Sequence, residues 1–327
     1  MNDNLVDFTD KPGAKAGEPA VLTVSPETTY LRFVNKIVTG AVDSKPTVGA
    51  EDPVTRPDGQ VEVTLTGSVP LGAETQTGRY PVPSPTKFAT VALLQCITGA
   101  GISVKPPKNS QAPDFSALKK FYTPDNLVAE HTSPPLSEDV RITLKVSQNL
   151  HASMAQYLLG IYAAKARNKV RDAGFKIENE FLTAAKLDLD GASQGDGEGG
   201  DRADLFSPDF MCHYLAYWKT RPDFPQLFVA LPVLGKDGTL AKIQVQSPAA
   251  GHVFAKTGTF NSNDRANSRQ MLNTKGLAGY IVTKSGRTIA LAAYVNHTAL
   301  PHDPDAARKV AGEALGEIAA AAYETLP

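Results

Sequence analysis

The sequence predicts an α+β fold, in which an antiparallel sheet is flanked by helices and preceded by a small β-rich module. Short alternating strands fill the start of the chain, helical stretches follow from Ser84 onward, and two strands and an alanine-rich helix close it. Strands grouped apart from helices are typical of α+β proteins. We therefore predict two domains, the β-rich module at residues 1–78 and a larger domain at residues 79–327.

Apolar and polar residues alternate over short runs in the β-rich module. Strands are predicted at residues 21–24, 31–34 and 61–69, because a period of two is typical of a half-buried strand. The sequences Lys-Pro-Gly at 11–13 and Arg-Pro-Asp-Gly at 56–59 are turn formers that bound these runs. The module is therefore predicted to consist of strands and turns.

Helices in the larger domain are predicted from capping residues and periodicity. Ser84 followed by Pro85 fits an N-cap and the first helical position, and a further helix opens at Pro208. Another helix is predicted from 150 through 169, because apolar residues recur there at helical spacing. That stripe contains Leu150, Met154, Leu158, Ile161 and Tyr162. The glycine-rich segment 191–200 is predicted to be a surface loop.

The end of the chain predicts a β-hairpin and a closing helix. Strands are predicted at 277–282 and 288–295, with a Ser-Gly-Arg turn at 285–287 between them. The sequence around 251–259 has the character of a third strand, and an alanine-rich helix is predicted from Asp305 to Tyr323. Three antiparallel strands edged by a C-terminal helix complete the α+β prediction.

Composition indicates a globular chain that is large enough for a sizeable core. The chain has 327 residues, of which 42% are hydrophobic and 20% charged, and its formal net charge of -1 gives no indication of a nucleic-acid partner. Cys96 and Cys212 provide neither a disulfide framework nor a zinc-site spacing, so no metal and no cofactor is predicted. No membrane span and no signal peptide is indicated, so the sequence as written predicts a cytoplasmic protein.

Two short motifs point to chemistry. A Ser-Gln-Asn sequence at 147–149 precedes a Lys-Thr-Gly sequence at 256–258. In this order they are two of the three boxes that mark the active site of penicillin-recognising serine enzymes, the third being Ser-x-x-Lys. Acyl transfer needs a nucleophile, a base, a proton donor for the leaving group and an oxyanion site. The two motifs therefore predict part of an acyl-transfer site.

Further stretches extend the resemblance over residues 1 to 323. The chain resembles the family S13 D-alanyl-D-alanine carboxypeptidases, also called class C low-molecular-mass penicillin-binding proteins. Besides the two boxes, the matching stretches are 3–6 (beginning with Asp3), 12–15, 133–136, 231–240 and 279–281. The resemblance implies the fold of penicillin-binding proteins and serine β-lactamases with an inserted β-rich module. It also implies a place of action outside the cytoplasmic membrane.

The resemblance implies roles for three catalytic residues. Ser147 would relay a proton to the leaving group, and Asn149 would hold the substrate amide. Lys256 would add positive potential beside Ser147 and favour its deprotonated form. Ser147 and Asn149 are also residue types favoured at a helix start, and capping is compatible with catalysis.

Three residues are assigned to substrate binding by the same resemblance. The hydroxyls of Thr257 and Thr259 would bind the terminal carboxylate of D-alanine, and the backbone N–H of Thr259 would supply half of the oxyanion hole. Gly258 would let the substrate backbone approach the strand closely, because a side chain there would block it.

The sequence leaves more than one candidate for the nucleophile. The Ser-x-x-Lys box of the family precedes the inserted module, so we expect the chain to be truncated and to lack that box. Two Ser-x-x-Lys sequences occur within the chain, Ser84 with Lys87 and Ser116 with Lys119, and Ser84 is better explained as an N-cap. The nucleophile is therefore Ser147, Ser84 or none of the serines.

Three functions follow from these alternatives. The first is a serine hydrolase acting on D-alanyl-D-alanine stem peptides, β-lactams or small esters, since ester hydrolysis depends less on a proton donor. It would use Ser147 with Lys256 as base, or Ser84 with Lys87. The second is a non-catalytic fragment that binds a peptidoglycan stem peptide or a β-lactam, and the third is a structural fragment. A missing helix would expose an apolar face, which a homodimer would cover.

Overall fold

The chain divides into two compact units, Met1–Leu127 and Val128–Pro327, in a computed structural model. The structure describes residues 4–105, 115–301, 303 and 305–326, so Asp3 of the matched stretch lies outside the described residues. The division at 78/79 stays a prediction about domains, and the boundary between the compact units comes later in the chain. None of the described helices is long and apolar enough to span a membrane.

The first unit contains two small sheets. Its strands are β1 (Leu5–Lys11), β2 (Val21–Ser25), β3 (Leu31–Gly40), β4 (Gly49–Ala50), β5 (Val54–Thr55), β6 (Val61–Pro70) and β7 (Gln76–Pro81). One sheet has the antiparallel order β2-β1-β7, and in the other β3 and β6 run parallel while β4 and β5 pair antiparallel with β6. The strands predicted at 21–24, 31–34 and 61–69 are confirmed as β2, β3 and β6.

Helix α1 (Pro85–Gly99) begins where the sequence predicts. Ser84 is its N-cap, with Oγ accepting the backbone N–H of Lys87 at 3.4 Å. The short helix α2 (Phe115–Leu118) follows in the same unit. The core of the unit joins both sheets to α1 and includes Val6, Ile37, Leu65 and Phe88.

The second unit contains the longer strands and most of the helices. Its helices are α3 (Leu136–Val146), α4 (Asn149–Leu158), α5 (Val170–Ala184), α6 (Pro208–Lys219), α7 (Phe224–Ala230) and α8 (Glu313–Thr325). Its strands are β8 (Ala192–Ser193), β9 (Leu205–Phe206), β10 (Val253–Asp264), β11 (Arg269–Val282) and β12 (Thr288–Ala299). The last three form an antiparallel sheet in the order β10-β11-β12, so the predicted hairpin and third strand are confirmed.

Helices cover both faces of this sheet. On one face Leu315 and Ala319 of α8 pack against Leu277 and Ile281 of β11. On the other face Tyr280 lies among apolar residues of α6 and α7, and its hydroxyl donates to the carbonyl of Leu215 at 2.8 Å. Successive β11 side chains point to opposite faces, which is why one strand serves both layers. The predicted closing helix is confirmed as α8.

The helix predicted at 150–169 is shorter than the sequence indicates. It consists of α4 and one wide helical turn, Leu159–Ala163. Gly160 lies so close to Val170 that an added Cβ would stand 1.9 Å from its carbonyl oxygen. The chain then reverses through Lys165 and Lys169, whose φ angles are 52° and 43°. The apolar stripe ends at Tyr162, within the wide turn, and the reversal after it depends on packing against α5.

Candidate active site

Strand β10 carries the Lys-Thr-Gly sequence at the edge of its sheet. It pairs with β11 on one side, where Thr259 stands opposite Lys275. On the other side the described residues form one bridge, between Val233 and Phe254, just before the motif. From Lys256 onward no described strand lies beside that edge. An extended substrate backbone can pair with such an edge through main-chain hydrogen bonds.

Ser147 lies at the C-terminal end of α3 and contacts Lys256. Its Oγ accepts a hydrogen bond from Lys256 Nζ at 2.8 Å. Ser147 has left-handed backbone angles, φ 59° and ψ 56°, and its N–H bonds the carbonyl of Thr143. This conformation costs about 1 kcal/mol or more for a residue other than glycine, and such strain clusters at functional sites. Two motifs that are distant in sequence therefore meet through their side chains.

The ammonium group of Lys256 is in an unfavourable environment. Burial, together with the smaller effect of the positive charge of Lys275, lowers the pKa of Lys256 to about 8. Its Nζ also donates to the carbonyl of Thr257 at 2.5 Å. At pH 7 about a tenth of Lys256 is thus unprotonated, and the lone pair of that form can accept the proton of Ser147 Oγ.

Lys145 ties the end of α3 to the segment that precedes β10. Its Nζ donates to the carbonyl of Leu231 at 2.6 Å and to the Asp237 carboxylate at 2.7 and 2.8 Å. The same carboxylate accepts the backbone N–H of Val233 at 2.8 Å. The Lys145 side chain is 14% exposed, so these bonds are partly shielded from water. They fix the helix end that presents Ser147.

The substrate-binding residues predicted on β10 have distinct surroundings. The Thr257 hydroxyl donates to Thr239 Oγ1 at 2.9 Å, whereas Thr259 Oγ1 accepts from Lys275 Nζ at 2.5 Å. A Cβ added to Gly258 would have no heavy atom within 4 Å. Packing within the described chain therefore does not require glycine at this position, and the space beside it is open to a substrate.

Asn149 is the first residue of α4 and is exposed. The N-cap of that helix is Gln148, whose side chain accepts the N–H of Leu150 at 3.2 Å. The capping role considered for Ser147 and Asn149 is therefore wrong. Ser147 ends α3 in a left-handed conformation, and Gln148 has the extended backbone that an N-cap requires.

Family membership is decided by sequence. The model of the D-Ala-D-Ala carboxypeptidase 3 (S13) family matches residues 1–318. The chain belongs to this family. The match includes both boxes, so the pair Ser147 and Lys256 lies within an S13 sequence.

Two relatives are similar to this chain in sequence. The chain is 28% identical over 320 residues, 93% of its length, to the D-alanyl-D-alanine carboxypeptidase of Actinomadura sp. (strain R39). It is 25% identical over 203 residues, 60% of its length, to the penicillin-sensitive carboxypeptidase A of Dictyostelium discoideum. The chain spans 56% of the first relative and 36% of the second.

Penicillin-binding protein 4 of Haemophilus influenzae has the same fold. Its structure aligns with a TM-score of 0.66 and 18% identity, covering 98% of this chain and 66% of that one. A structure of the same protein complexed with a β-lactam aligns with a TM-score of 0.64, covering 98% and 68%. The α+β fold of the penicillin-binding-protein type is thus confirmed for this S13 chain.

The two Ser-x-x-Lys sequences lie in the first unit. Ser84 accepts the backbone N–H of Lys87, which is the bond of an N-cap, and the described interactions of this pair include no bond between Ser84 Oγ and Lys87 Nζ. Ser116 belongs to the four-residue helix α2 and Lys119 to the turn after it. The N-cap interpretation of Ser84 is confirmed.

Four residues near the boxes were missed by sequence reasoning. Asp237 and Thr239 stand inside the matched stretch 231–240, which could have identified them. Lys275 is the last charged residue of β11, and the residues after it are glycine or apolar and aromatic residues; that change in character is a second signal. No pattern in the sequence indicates that Lys145 connects α3 to the loop before β10 through hydrogen bonds.

Proposed function

We propose that this S13 chain is a serine hydrolase of the penicillin-binding-protein type. Its substrates would be D-alanyl-D-alanine stem peptides, with small esters cleaved more readily than amides. The observation that supports this most directly is the 2.8 Å contact between Lys256 Nζ and Ser147 Oγ. A lysine with a pKa of about 8 is suited to act as a base at that position.

Acylation would proceed through Ser147. Neutral Lys256 takes the Oγ proton while Oγ forms a bond to the carbonyl carbon of the substrate. The resulting oxyanion is stabilised in part by the backbone N–H of Thr259. When the tetrahedral intermediate collapses, the bond to the leaving group breaks and Lys256 returns its proton to the leaving oxygen or nitrogen. An acyl ester on Ser147 and a free alcohol or amine result.

Deacylation would use the same lysine. Neutral Lys256 takes a proton from water as the water oxygen bonds to the acyl carbon. Collapse breaks the ester bond, and the lysine proton passes back to Ser147 Oγ, which releases the carboxylic acid. An alkoxide leaves with less help from a proton donor than an amine does, which is why esters are the more readily cleaved class.

The surrounding residues would position the acyl donor. The Asn149 side chain, exposed at the start of α4, holds the substrate amide, and the open edge at Gly258 receives the substrate backbone. Thr257 and Thr259 bind the terminal carboxylate. β-Lactams would acylate the same serine. Stem peptides lie outside the cytoplasmic membrane, so this function favours an extracytoplasmic site of action.

We also propose that the chain acts as a homodimer. The predicted apolar stripe lies at the surface, and each of its residues is at least 37% exposed: Leu150, Met154, Leu158, Ile161 and Tyr162. The segment 149–164 contains no Asp, Glu, Lys or Arg, so two copies of the stripe meet without like-charge repulsion. An isologous pairing of the stripe would remove this apolar area from water.

Steady-state hydrolysis tests the proposed activity. We expect the chain to hydrolyse p-nitrophenyl acetate and, more slowly, to release D-alanine from a D-alanyl-D-alanine peptide. Ser147→Ala should abolish both reactions, while the matched variant Ser84→Ala should retain them. Activity that survives Ser147→Ala would contradict the assignment. Binding of the peptide without turnover by folded wild-type chain would favour the non-catalytic binding function instead.

A further inference from the structure

Lys275 places a second ammonium group beside the Lys-Thr-Gly sequence. It lies on β11 directly opposite Thr259, and its Nζ donates to Thr259 Oγ1 at 2.5 Å. Its neighbours on the strand, Gly276 and Leu277, are buried, and the Lys275 side chain itself is half-buried. A half-buried lysine in the interior of a strand is unusual, because lysine is mostly exposed unless its charge is paired.

Two cations therefore converge on the same stretch of β10 without a counter-ion. Among the described residues, neither Lys256 nor Lys275 forms an ion pair with a carboxylate. Burial lowers the pKa of both lysines, and the charge of Lys275 acts on Lys256 as well. Partly desolvated charges of one sign are unfavourable unless an anion joins them. The two lysines together therefore favour the binding of an anion beside β10.

The hydroxyls of Thr257 and Thr259 differ in whether they are free to donate a hydrogen bond to an anion. Thr259 Oγ1 accepts from Lys275, which leaves its own O–H directed elsewhere as a donor. The Thr257 hydroxyl donates to Thr239, so it must exchange that bond for one to the anion. A cavity of about 20 Å³, lined in part by Thr239, Thr257, Lys275 and Arg308, adjoins these groups. That volume is enough for about one water-sized atom, such as one oxygen of a carboxylate.

We propose that Lys275 is a specificity-determining residue that binds the free carboxylate of the substrate together with Thr257 and Thr259. Lys275 adds a charge-assisted hydrogen bond to those of the threonine hydroxyls. The chain is then selective for acyl donors that end in a carboxylate next to the scissile bond, because Lys275 stands opposite Thr259, three residues along β10 from Lys256. The identity of the anion as a substrate carboxylate rests on the proposed function, whereas the anion site rests on the two lysines.

Calorimetric binding of two matched dipeptides tests this proposal. The probes are N-acetyl-D-alanyl-D-alanine and its C-terminal amide, added to the full chain with Ser147→Ala to prevent turnover. We expect the acid to bind about ten- to a hundredfold more tightly than the amide, the range for one hydrogen bond to a charged group. Lys275→Met should reduce acid binding to the level of the amide, and Lys275→Arg should restore it.

Lys242→Met is the control, since Lys242 is exposed and forms no hydrogen bond or ion pair among the described residues. Equal binding of acid and amide by the chain that retains Lys275, or no binding of either, would overturn the proposal even if Lys275→Met failed to fold. An unchanged acid preference in folded Lys275→Met would overturn it as well. Hydrolysis without an acid preference contradicts the anion site alone, and an acid preference without hydrolysis contradicts the proposed activity alone.

Discussion

At the level of single residues, two neighbours have opposite effects on the ammonium group of Lys256. Ser147 accepts a hydrogen bond from it, while the positive charge of Lys275 disfavours its protonated form. Removing the ammonium group in Lys256→Ala should therefore remove the base and the positive potential together. We expect a loss of about 2.7 to 4 kcal/mol of transition-state stabilisation, as for loss of one oxyanion donor. Ester kinetics on the purified variant measure this effect.

The fold should be little changed by that substitution, because a desolvated cation contributes poorly to stability. Lys242→Ala serves as the control for removal of a lysine at an exposed site, and thermal melting checks both variants. A rate that stays unchanged in Lys256→Ala would remove Lys256 from the mechanism.

The pH dependence of ester hydrolysis follows from the same lysine. Neutral Lys256 is the active form, so kcat should rise with pH and reach half its maximum near the pKa of about 8. Lys275→Met removes the repelling charge and should move the midpoint to higher pH. The measurement is kcat between about pH 6 and 11, a range that spans this pKa and the ordinary one of lysine. A flat or falling profile contradicts the base role.

The order of the motifs identified the two residues that contact each other, but not the neighbouring residue that changes the pKa of Lys256. Ser147 and Lys256 were predicted from two boxes, and their contact is present in the structure. Lys275 acts through its register opposite Thr259, and a register depends on strand pairing that local sequence does not specify. The N-cap of α4 is Gln148, and neither Ser147 nor Asn149, for a similar reason. Ser147 ends α3 in the left-handed conformation, so the extended backbone of an N-cap falls on the next residue.

At the level of elements, the end of α3 depends on its tie to the loop before β10. Lys145→Met removes the bonds to Leu231 and Asp237, and we expect a loss of about 1.5 to 3 kcal/mol in the free energy of unfolding. The rate of ester hydrolysis should decrease by a larger factor than the folded fraction does. The reason is that Ser147 is the residue at this helix end, so its position depends on the bonds of Lys145. Urea unfolding and ester kinetics on one preparation give both numbers.

Lys176→Met is the matched control for that experiment. Lys176 pairs with Glu180 on the exposed surface of α5, and such pairs contribute about 0.3 to 0.5 kcal/mol. If Lys145→Met behaves like the control in both assays, the tie has no role in positioning Ser147.

Elements with local signals were predicted well, and those fixed by long-range packing were not. The Ser84 cap of α1 and the hairpin turn around Gly286, with φ 83°, follow from single residue types and are confirmed. The helix expected to reach 169 ends early because Gly160 packs against the carbonyl of Val170. Periodicity predicts which face is apolar, and it does not predict where a helix meets another.

At the level of the whole molecule, the homodimer gives the clearest prediction. Light scattering after size exclusion should report twice the mass of one chain. Introducing charge in the stripe with Met154→Glu and Ile161→Glu should produce monomers, because desolvated like charges oppose association. Val42→Glu is the control, since Val42 is an exposed apolar residue of the first unit. Monomers of the unaltered chain at all concentrations contradict this part of the proposal.

Covalent labelling of the folded chain with a fluorophosphonate shows whether Ser147 is the nucleophile. The probe reacts with an activated serine, and peptide mapping by mass spectrometry identifies which one. We expect a label on Ser147 that is lost in Lys256→Ala and retained in Lys242→Ala. A label on Ser84 instead, or a folded chain in which no serine is labelled, would contradict it.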